Sequence, residues 1–201
     1  MFGATLPLIN IIKSAHTIAK YNLEAINMER KYKILTVILM CVNGFAMHYM
    51  YDLIKDVDFL NWLGAFYPVN ETTWEHMKLY WFPFVVTGTI LAIITKKKSY
   101  FGAFTIAGII AMIVQLGLFA FYQSFTGESV MWLGITLYFV ITVICAWHAF
   151  MLAKKEWVAK SFIMWIIIAI AVTCGFICLT YNPGDGYIFW DDDKYKKMQQ
   201  L

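Results

Sequence analysis

Five long segments of the sequence contain no Asp, Glu, Lys or Arg and are rich in large apolar residues. They are residues 34–51, 79–95, 99–127, 129–153 and 161–184. A helix of about 20 apolar residues is long enough to cross the roughly 30 Å hydrocarbon core of a membrane. Because backbone in lipid must satisfy its own hydrogen bonds, helices rather than open strands are expected. The pattern predicts an all-α integral membrane protein, a bundle of five transmembrane helices.

The composition agrees with this class and excludes others. Hydrophobic residues make up 61% of the chain and charged residues 14%, whereas a soluble domain has about 45–50% and 25%. These values exclude a water-soluble globule and a disordered chain. The four cysteines all lie inside predicted spans and indicate no disulfide framework. We expect the lipid bilayer as a partner and no nucleic acid.

The distribution of positive charge predicts the orientation. The predicted spans are residues 34–54, 76–95, 99–122, 130–152 and 160–180. Segments 1–33, 96–98 and 154–160 contain 11 of the 16 Lys and Arg residues. Because Lys and Arg accumulate in cytoplasmic loops, the N-terminus is expected in the cytoplasm and the C-terminus outside. The Ile- and Lys-rich composition is typical of a bacterium, so the expected location is a bacterial cytoplasmic membrane.

Two terminal segments flank the predicted transmembrane domain, which covers residues 34–181. Residues 1–33 are expected to form an N-terminal cytoplasmic extension or an interfacial amphipathic helix. Whether residues 1–27 belong to the native fold is left open. Residues 182–201 are expected to form an extracytoplasmic polar tail.

The polar segment 70–78, directly before an apolar span, is the first candidate site. Asn70 is the predicted N-cap of that span, and Glu71 in the first turn favours the positive end of the helix dipole. At 100° per residue, one stripe of the helix carries Glu71, Trp74, Glu75 and Lys78. His76 is predicted to point away from this stripe.

The outer part of the first span supplies the expected partner. His48 lies there, with Tyr51, Asp52 and Lys55 on the same face. A histidine inside a span is a functional candidate because its burial in lipid is costly. If the first two spans pack as antiparallel neighbours, the two polar faces meet near the outer interface.

These residue types are the ones that bind zinc or transfer protons. His, Asp and Glu are ligands for divalent metals, and without metal the same groups act as a base and its orienting partner. The predicted metal ligands are His48, Asp52, Glu71 and Glu75, with zinc as the candidate ion. The predicted catalytic residues are His48, Glu71, Glu75 and Lys78. Structural or substrate-contacting roles are predicted for Tyr51, Asn70, Trp74 and His76. Solvated ion pairs at an ordinary helix start explain the same residues without any site.

The segment also carries a resemblance. Asn70-Glu71-Thr72-Thr73-Trp74-Glu75-His76-Met77-Lys78, followed by Phe82-Pro83, resembles the signature N-E-S-x-W-E-H-x-K…F-P. That signature is typical of an uncharacterised family of small bacterial polytopic membrane proteins, a domain of unknown function. His48 and the tail around Thr180 and Pro183 are similar to the family as well, over about residues 34–192. The resemblance implies a shared site and brings no established activity.

Two main function classes follow, and they stay open. The first is a membrane-embedded hydrolase whose metal ion activates water against a lipid or lipid-linked substrate. The second is a non-catalytic binder or small transporter that holds a cation, proton or polar solute at the same site. A weaker third class is a scaffold that docks a protein partner through residues 70–78.

Overall fold

The computed structural model describes residues 29–50, 53, 58–126, 130–186 and 189, and these consist of helices and the turns that join them. Five helices are long and apolar enough to cross a membrane: α1 Glu29–Met50, α2 Thr73–Thr95, α3 Ser99–Thr126, α4 Met131–Leu152 and α6 Phe162–Tyr181. A short helix, α5 (Glu156–Lys160), precedes α6. The described residues contain no strand. The predicted five membrane-length helices and the all-α class are confirmed.

The chain divides into two compact units, residues 1–36 and 37–201. In the first unit, the described residues 29–36 are helical, and Lys33 forms an ion pair with Glu29 one turn earlier. All of the features discussed below lie in the second unit.

Within the second unit, α3 is the central helix and packs against α2, α4, α5 and α6. Its contact with α2 is close because small residues lie at the interface. Ala103, Ala107 and Ala111 of α3 are buried, and a Cβ atom at Gly88 of α2 would lie 2.6 Å from the Cβ of Phe104. Small residues of this kind let helix backbones approach in the absence of a hydrophobic driving force.

A proline and a glycine bring α2 and α1 together. Pro83 lies inside α2, and because it has no N–H the carbonyl of Leu79 loses its helical donor. Gly44 of α1 packs against this carbonyl, and a Cβ at Gly44 would lie 2.8 Å from it and would overlap the hydroxyl of Tyr138. The Tyr138 hydroxyl in turn donates to the Met40 carbonyl at 3.2 Å. The approach of the two helices therefore depends on glycine at position 44.

The segment before α2 begins with a 3-10 helix, Asp58–Ala65. It lies against α6, where the Tyr181 hydroxyl donates to the Trp62 carbonyl at 3.3 Å. The chain then turns through residues 66–72 into α2. The N-terminal end of α2 carries the polar residues of the candidate site.

Candidate metal centre

The start of α2 differs from the sequence prediction. Thr72 is the N-cap, with an extended backbone (φ −73°, ψ 152°), and its hydroxyl accepts from the Glu75 N–H. Asn70, the predicted N-cap, lies outside the helix, and its side-chain oxygen Oδ1 accepts from the N–H (3.1 Å) and the hydroxyl (2.7 Å) of Thr72. The prediction of an Asn70 cap is therefore wrong. The pattern Thr-x-x-Glu at 72–75 is the stronger signal because it matches a capping box.

Moving the cap changes the position of Glu71. This residue precedes the helix and is not on the helical stripe predicted for it, so its side chain can turn toward His76. Its carboxylate lies 3.4 Å from His76 Nε2 and 3.9 Å from His48 Nε2. The prediction that His76 points away from Glu71 is therefore wrong, because the 100° rule applies only to residues within the helix.

His48, Glu71 and His76 form the His/Glu triad of the site. Their ligand atoms all lie within 4.8 Å of one another, and the two imidazole ring centroids are 5.3 Å apart. Ligands of a tetrahedral zinc ion with bonds of about 2.0–2.1 Å are roughly 3.3 Å apart. The 3.4 Å contact of His76 is with one carboxylate oxygen of Glu71, and the 3.9 Å contact of His48 is with the other. The first distance is close to the spacing of zinc ligands, and the second exceeds it by about half an ångström.

The orientation of His76 suits metal binding. Its Nδ1 is 2.9 Å from the Thr72 carbonyl oxygen. Because a carbonyl oxygen can only accept a hydrogen bond, the ring donates through Nδ1. A backbone hydrogen bond at one imidazole nitrogen is the usual way in which proteins fix the tautomer of a metal ligand. Nε2 faces Glu71 and donates to its carboxylate in the metal-free protein. A metal ion would take the place of the proton on Nε2.

Glu71 is the negatively charged and most exposed member of the triad. Its side chain is 71% exposed, while those of His48 and His76 are about one quarter exposed. The hydrogen bond from His76 lowers the pKa of Glu71 below its ordinary value, against an opposing effect of partial burial, and the charges of His76 and His48 lower it further. The carboxylate is therefore ionised at neutral pH and accessible to an ion from solution.

Glu75 and Lys78, predicted to share the site, form a separate cluster that we call the buried clasp. Their side chains are 3% and 0% exposed, and Lys78 Nζ lies 2.6 Å from the Glu75 carboxylate. Lys78 also donates to the carbonyls of Gly64 (2.8 Å) and Tyr67 (3.3 Å). The three donors of the ammonium group thus have three acceptors.

The Glu75 carboxylate has two further donors. It accepts from the Val69 N–H at 3.0 Å and from the Thr180 hydroxyl of α6 at 3.1 Å. The clasp therefore joins α2, α6 and the segment after the 3-10 helix. Thr180 lies 105 residues from Glu75 in the sequence, and no local pattern identified it as a carboxylate partner.

The remaining predicted site residues lie outside the triad. Trp74 packs on the rings of Phe176 and Phe189, with centroids 4.7 and 5.5 Å away. Asp52 and Tyr51, predicted as a metal ligand and a contacting residue, lie outside the described residues. Among the described residues the structure thus brings His48 and Glu71 together, adds His76, and pairs Glu75 with Lys78.

Comparison with known proteins gives a family and no activity. No curated protein sequence matches the chain, and no solved structure does. A family model described as a family of unknown function (DUF6512) matches residues 21–197. This match covers the triad, the clasp and all five long helices, and therefore the chain belongs to the DUF6512 family of unknown function.

Proposed function

We propose that this protein is a multi-pass membrane protein that binds a divalent transition metal ion through His48, Glu71 and His76. The observation that carries the proposal is the convergence of two imidazoles and one carboxylate within 4.8 Å. Two nitrogen donors and one carboxylate oxygen are typical ligands of zinc, which is the ion we favour. Asp52, one turn after His48 in the sequence, is the proposed source of a fourth ligand.

We also propose the orientation indicated by the positive charges. With the N-terminus in the cytoplasm, the triad lies on the extracytoplasmic side of α1 and α2, because it includes His48 in the C-terminal part of α1 and His76 at the start of α2. The proposed location is the bacterial cytoplasmic membrane. A metal ion bound there exchanges with the outer solution, which agrees with the exposure of Glu71.

Metal analysis of the purified protein tests the proposal. We expect about one zinc equivalent per chain after dialysis of the detergent-solubilised wild type against zinc and then against buffer. His76→Ala and Glu71→Gln should lose this zinc, because each removes one of three ligands. Wild-type protein that retains no zinc, nickel, cobalt or manganese while folded would overturn the proposal.

His148 provides the matched control. Its Nδ1 lies 2.8 Å from the carbonyl of Ile144, one turn earlier, as His76 does with Thr72. His148 does not belong to the His/Glu triad. His148→Ala should therefore retain the zinc of the wild type, and loss of zinc in this variant would contradict specific binding by the triad.

A metal-dependent hydrolase is the second candidate function. The observation that favours it is that the triad supplies three ligands. In the form of the site in which Asp52 does not bind, the fourth position of a tetrahedral zinc ion is open to water, as in catalytic zinc sites. The substrate class that we propose is a lipid or lipid-linked molecule, since the site lies at the end of apolar helices. Zinc-dependent hydrolysis of such substrates by the wild type, abolished in Glu71→Gln, would support it.

A non-catalytic role is the alternative to the hydrolase. Zinc-loaded protein that hydrolyses no glycerolipid or lipid-linked substrate, yet moves zinc into proteoliposomes, would identify a transporter. Bound zinc without either activity would identify a binder or a docking scaffold. In the scaffold case, substitutions in residues 70–78 should disrupt a protein complex without changing the metal content.

A further inference from the structure

A cavity of about 250 Å³ lies between α1 and α2, next to the triad and toward the middle of the two helices. Asn43 and Met47 of α1 line one wall, and Phe82, Pro83 and Val86 of α2 line the other. Pro83 follows His76 by seven residues, or about 10 Å along the helix. On the α2 side the cavity therefore reaches Pro83, about two helical turns below His76. On the α1 side it reaches Met47, which directly precedes His48.

The segment before α2 closes the upper side of the cavity. Phe66 and Tyr67 both contribute to the lining, and the ring of Phe66 packs edge-to-face on Phe82 with centroids 5.2 Å apart. The carbonyl of Tyr67 accepts from Lys78, so the buried clasp holds this wall in place. The described lining residues thus bound the cavity on three sides, from α1, from α2 and from the segment before α2.

The remaining side opens on the outer surface of the helices. Val86 is 48% exposed, and Asn43 is exposed as well. In helices that cross a membrane, this surface faces hydrocarbon. The molecules that reach such an opening are the chains of membrane lipids.

The size and the walls fit a single acyl chain. Sites for drug-sized ligands have about 300–1,000 Å³, so this cavity accommodates part of a molecule rather than a whole one. The lining is mainly apolar, and a stable buried water needs about two to four polar partners. An apolar chain segment is therefore a better occupant than water.

Asn43 adds one polar group to this apolar wall. A carboxamide in hydrocarbon without a hydrogen bond is costly, and the structure shows no hydrogen bond between Asn43 and another described residue. Asn43 lies five residues before His48, or about 7.5 Å along α1. The polar interface region is about 5–8 Å thick on each side of a bilayer, so with the exposed Glu71 at the membrane surface this depth is close to the ester groups that join headgroups to chains.

We propose that the cavity binds one acyl chain of a glycerolipid, with the Asn43 amide donating a hydrogen bond to the ester carbonyl of that chain. The headgroup then lies toward the His/Glu triad. Chain binding goes beyond the metal site and does not depend on it, whereas the placement of the headgroup beside a metal ion rests on the proposed function.

Native mass spectrometry of the detergent-solubilised protein tests the proposal with dioleoyl phosphatidylglycerol and its diether analogue as probes. The wild type should bind one diester molecule, and the diether should bind about 3- to 10-fold more weakly because it lacks the carbonyl that Asn43 bonds. Equal binding of the two lipids would overturn the assignment of Asn43.

Two substitutions on one face of α2 test the cavity itself. Val86→Trp fills it and should lower lipid occupancy at least tenfold. Ile90→Trp is the control, because Ile90 is similarly exposed (49%) one turn further along and does not line the cavity. Wild-type occupancy in Val86→Trp would overturn the proposal, as would an equal loss in both variants.

Asn43→Leu completes the set. It should weaken diester binding about 3- to 10-fold and leave diether binding unchanged, and a loss of both would overturn the ester bond. Zinc content measured on the same samples separates the two proposals. If the wild type holds no zinc while lipid binding follows these variants, the metal site fails and the lipid site stands.

Discussion

Glu71 and Glu75 are four residues apart in one motif, and the fold gives them opposite surroundings. Glu71 is mostly exposed and faces two imidazoles, whereas the Glu75 carboxylate is buried and accepts three hydrogen bonds. The oxygens of Glu75 already accept from an ammonium, an amide and a hydroxyl group, and therefore this carboxylate is not available to a metal ion. Under the proposed function, Glu71 therefore binds the metal ion and Glu75 supports the local fold.

The buried clasp also constrains the segment that carries Glu71. It fixes the carbonyls of Gly64 and Tyr67 and the amide of Val69, and this segment leads directly to Glu71. The triad is assembled from α1, the start of α2 and the segment that precedes α2, and none of the described residues in these elements forms a sheet or a disulfide. A buried ion pair at the base of that segment provides the constraint.

The largest effect should follow from breaking the clasp on one side. Lys78→Met leaves the Glu75 carboxylate buried without its counter-charge, and an uncompensated buried charge costs about 3–5 kcal/mol. We expect a strongly lowered midpoint of thermal unfolding in detergent. Glu75→Gln/Lys78→Met should recover at least half of the loss, because no isolated charge remains.

The exposed pair of Lys160 and Glu156, 3.3 Å apart, is the control for the clasp. Lys160→Met should change the stability by less than about 1 kcal/mol, because exposed ion pairs contribute little. If Lys78→Met unfolds at the temperature of the wild type, the clasp does not support the fold, and Lys78 is available for the catalytic role predicted from the sequence.

Crossed substitutions of the two glutamates should separate metal binding from stability. Glu71→Gln removes a ligand and should weaken zinc binding at least about 100-fold, since changes even behind the ligands cost 10–100-fold. The stability of the metal-free protein should change by less than about 0.5 kcal/mol, as for most surface substitutions. Zinc titration against a competing chelator and thermal unfolding measure the two quantities.

Glu75→Gln should give the reverse result. It should lower the unfolding midpoint, while the folded fraction binds zinc with nearly the affinity of the wild type. If Glu75→Gln instead loses zinc and keeps its stability, Glu75 is a metal ligand, as the sequence analysis predicted, and the assignment of the two glutamates must be exchanged.

The helices were predictable from the sequence because the conformation of each long apolar segment depends on that segment alone. A charge-free run of about 20 residues in lipid forms a helix, because only a helix satisfies the backbone hydrogen bonds within the segment. The prediction of the site depended on a local detail, namely whether α2 begins after Asn70 or after Thr72. Both residue types are good caps, and the choice of Asn70 placed Glu71 on a helical stripe and His76 on the opposite face.

The clasp was partly predictable for a different reason. The spacing of Glu75 and Lys78, three residues apart, places them on one face of a helix and allows an ion pair. Their burial could not be predicted in the same way, because it depends on Gly64, Tyr67 and Thr180, which approach from other elements. Long-range burial distinguishes a supporting ion pair from an exposed site, and no local pattern contains it.

The position of the cap can itself be tested, and its effect should be moderate. Thr72→Ala removes the side-chain bond to the Glu75 N–H, and loss of an N-cap costs about 1 kcal/mol. Thr72→Ser keeps the hydroxyl and should retain most of the stability. Asn70→Ala should cost less than Thr72→Ala, because Asn70 bonds to the cap residue rather than to the helix. The opposite order in thermal unfolding would indicate that α2 begins at Asn70.

The smallest effect should be on the titration of Glu71 in zinc-free protein. Its pKa lies below the ordinary value, first because His76 donates a hydrogen bond to the carboxylate and further because His76 and His48 contribute positive charge. Carbon-13 NMR of the labelled carboxylate should therefore show a midpoint below about 4.3, the usual value for glutamate. In His76→Phe the midpoint should move back toward that value.

The sign of the linked stability change follows from this depressed pKa. The ionised carboxylate stabilises the folded state above the pKa of the unfolded chain, and this contribution fades as the pH falls through the lower pKa of the folded state. The side chain is mostly exposed, so solvent screening keeps the effect small. A Glu71 midpoint that does not move in His76→Phe would mean that the two side chains do not interact, and the triad would lose the contact that brings its carboxylate to the histidines.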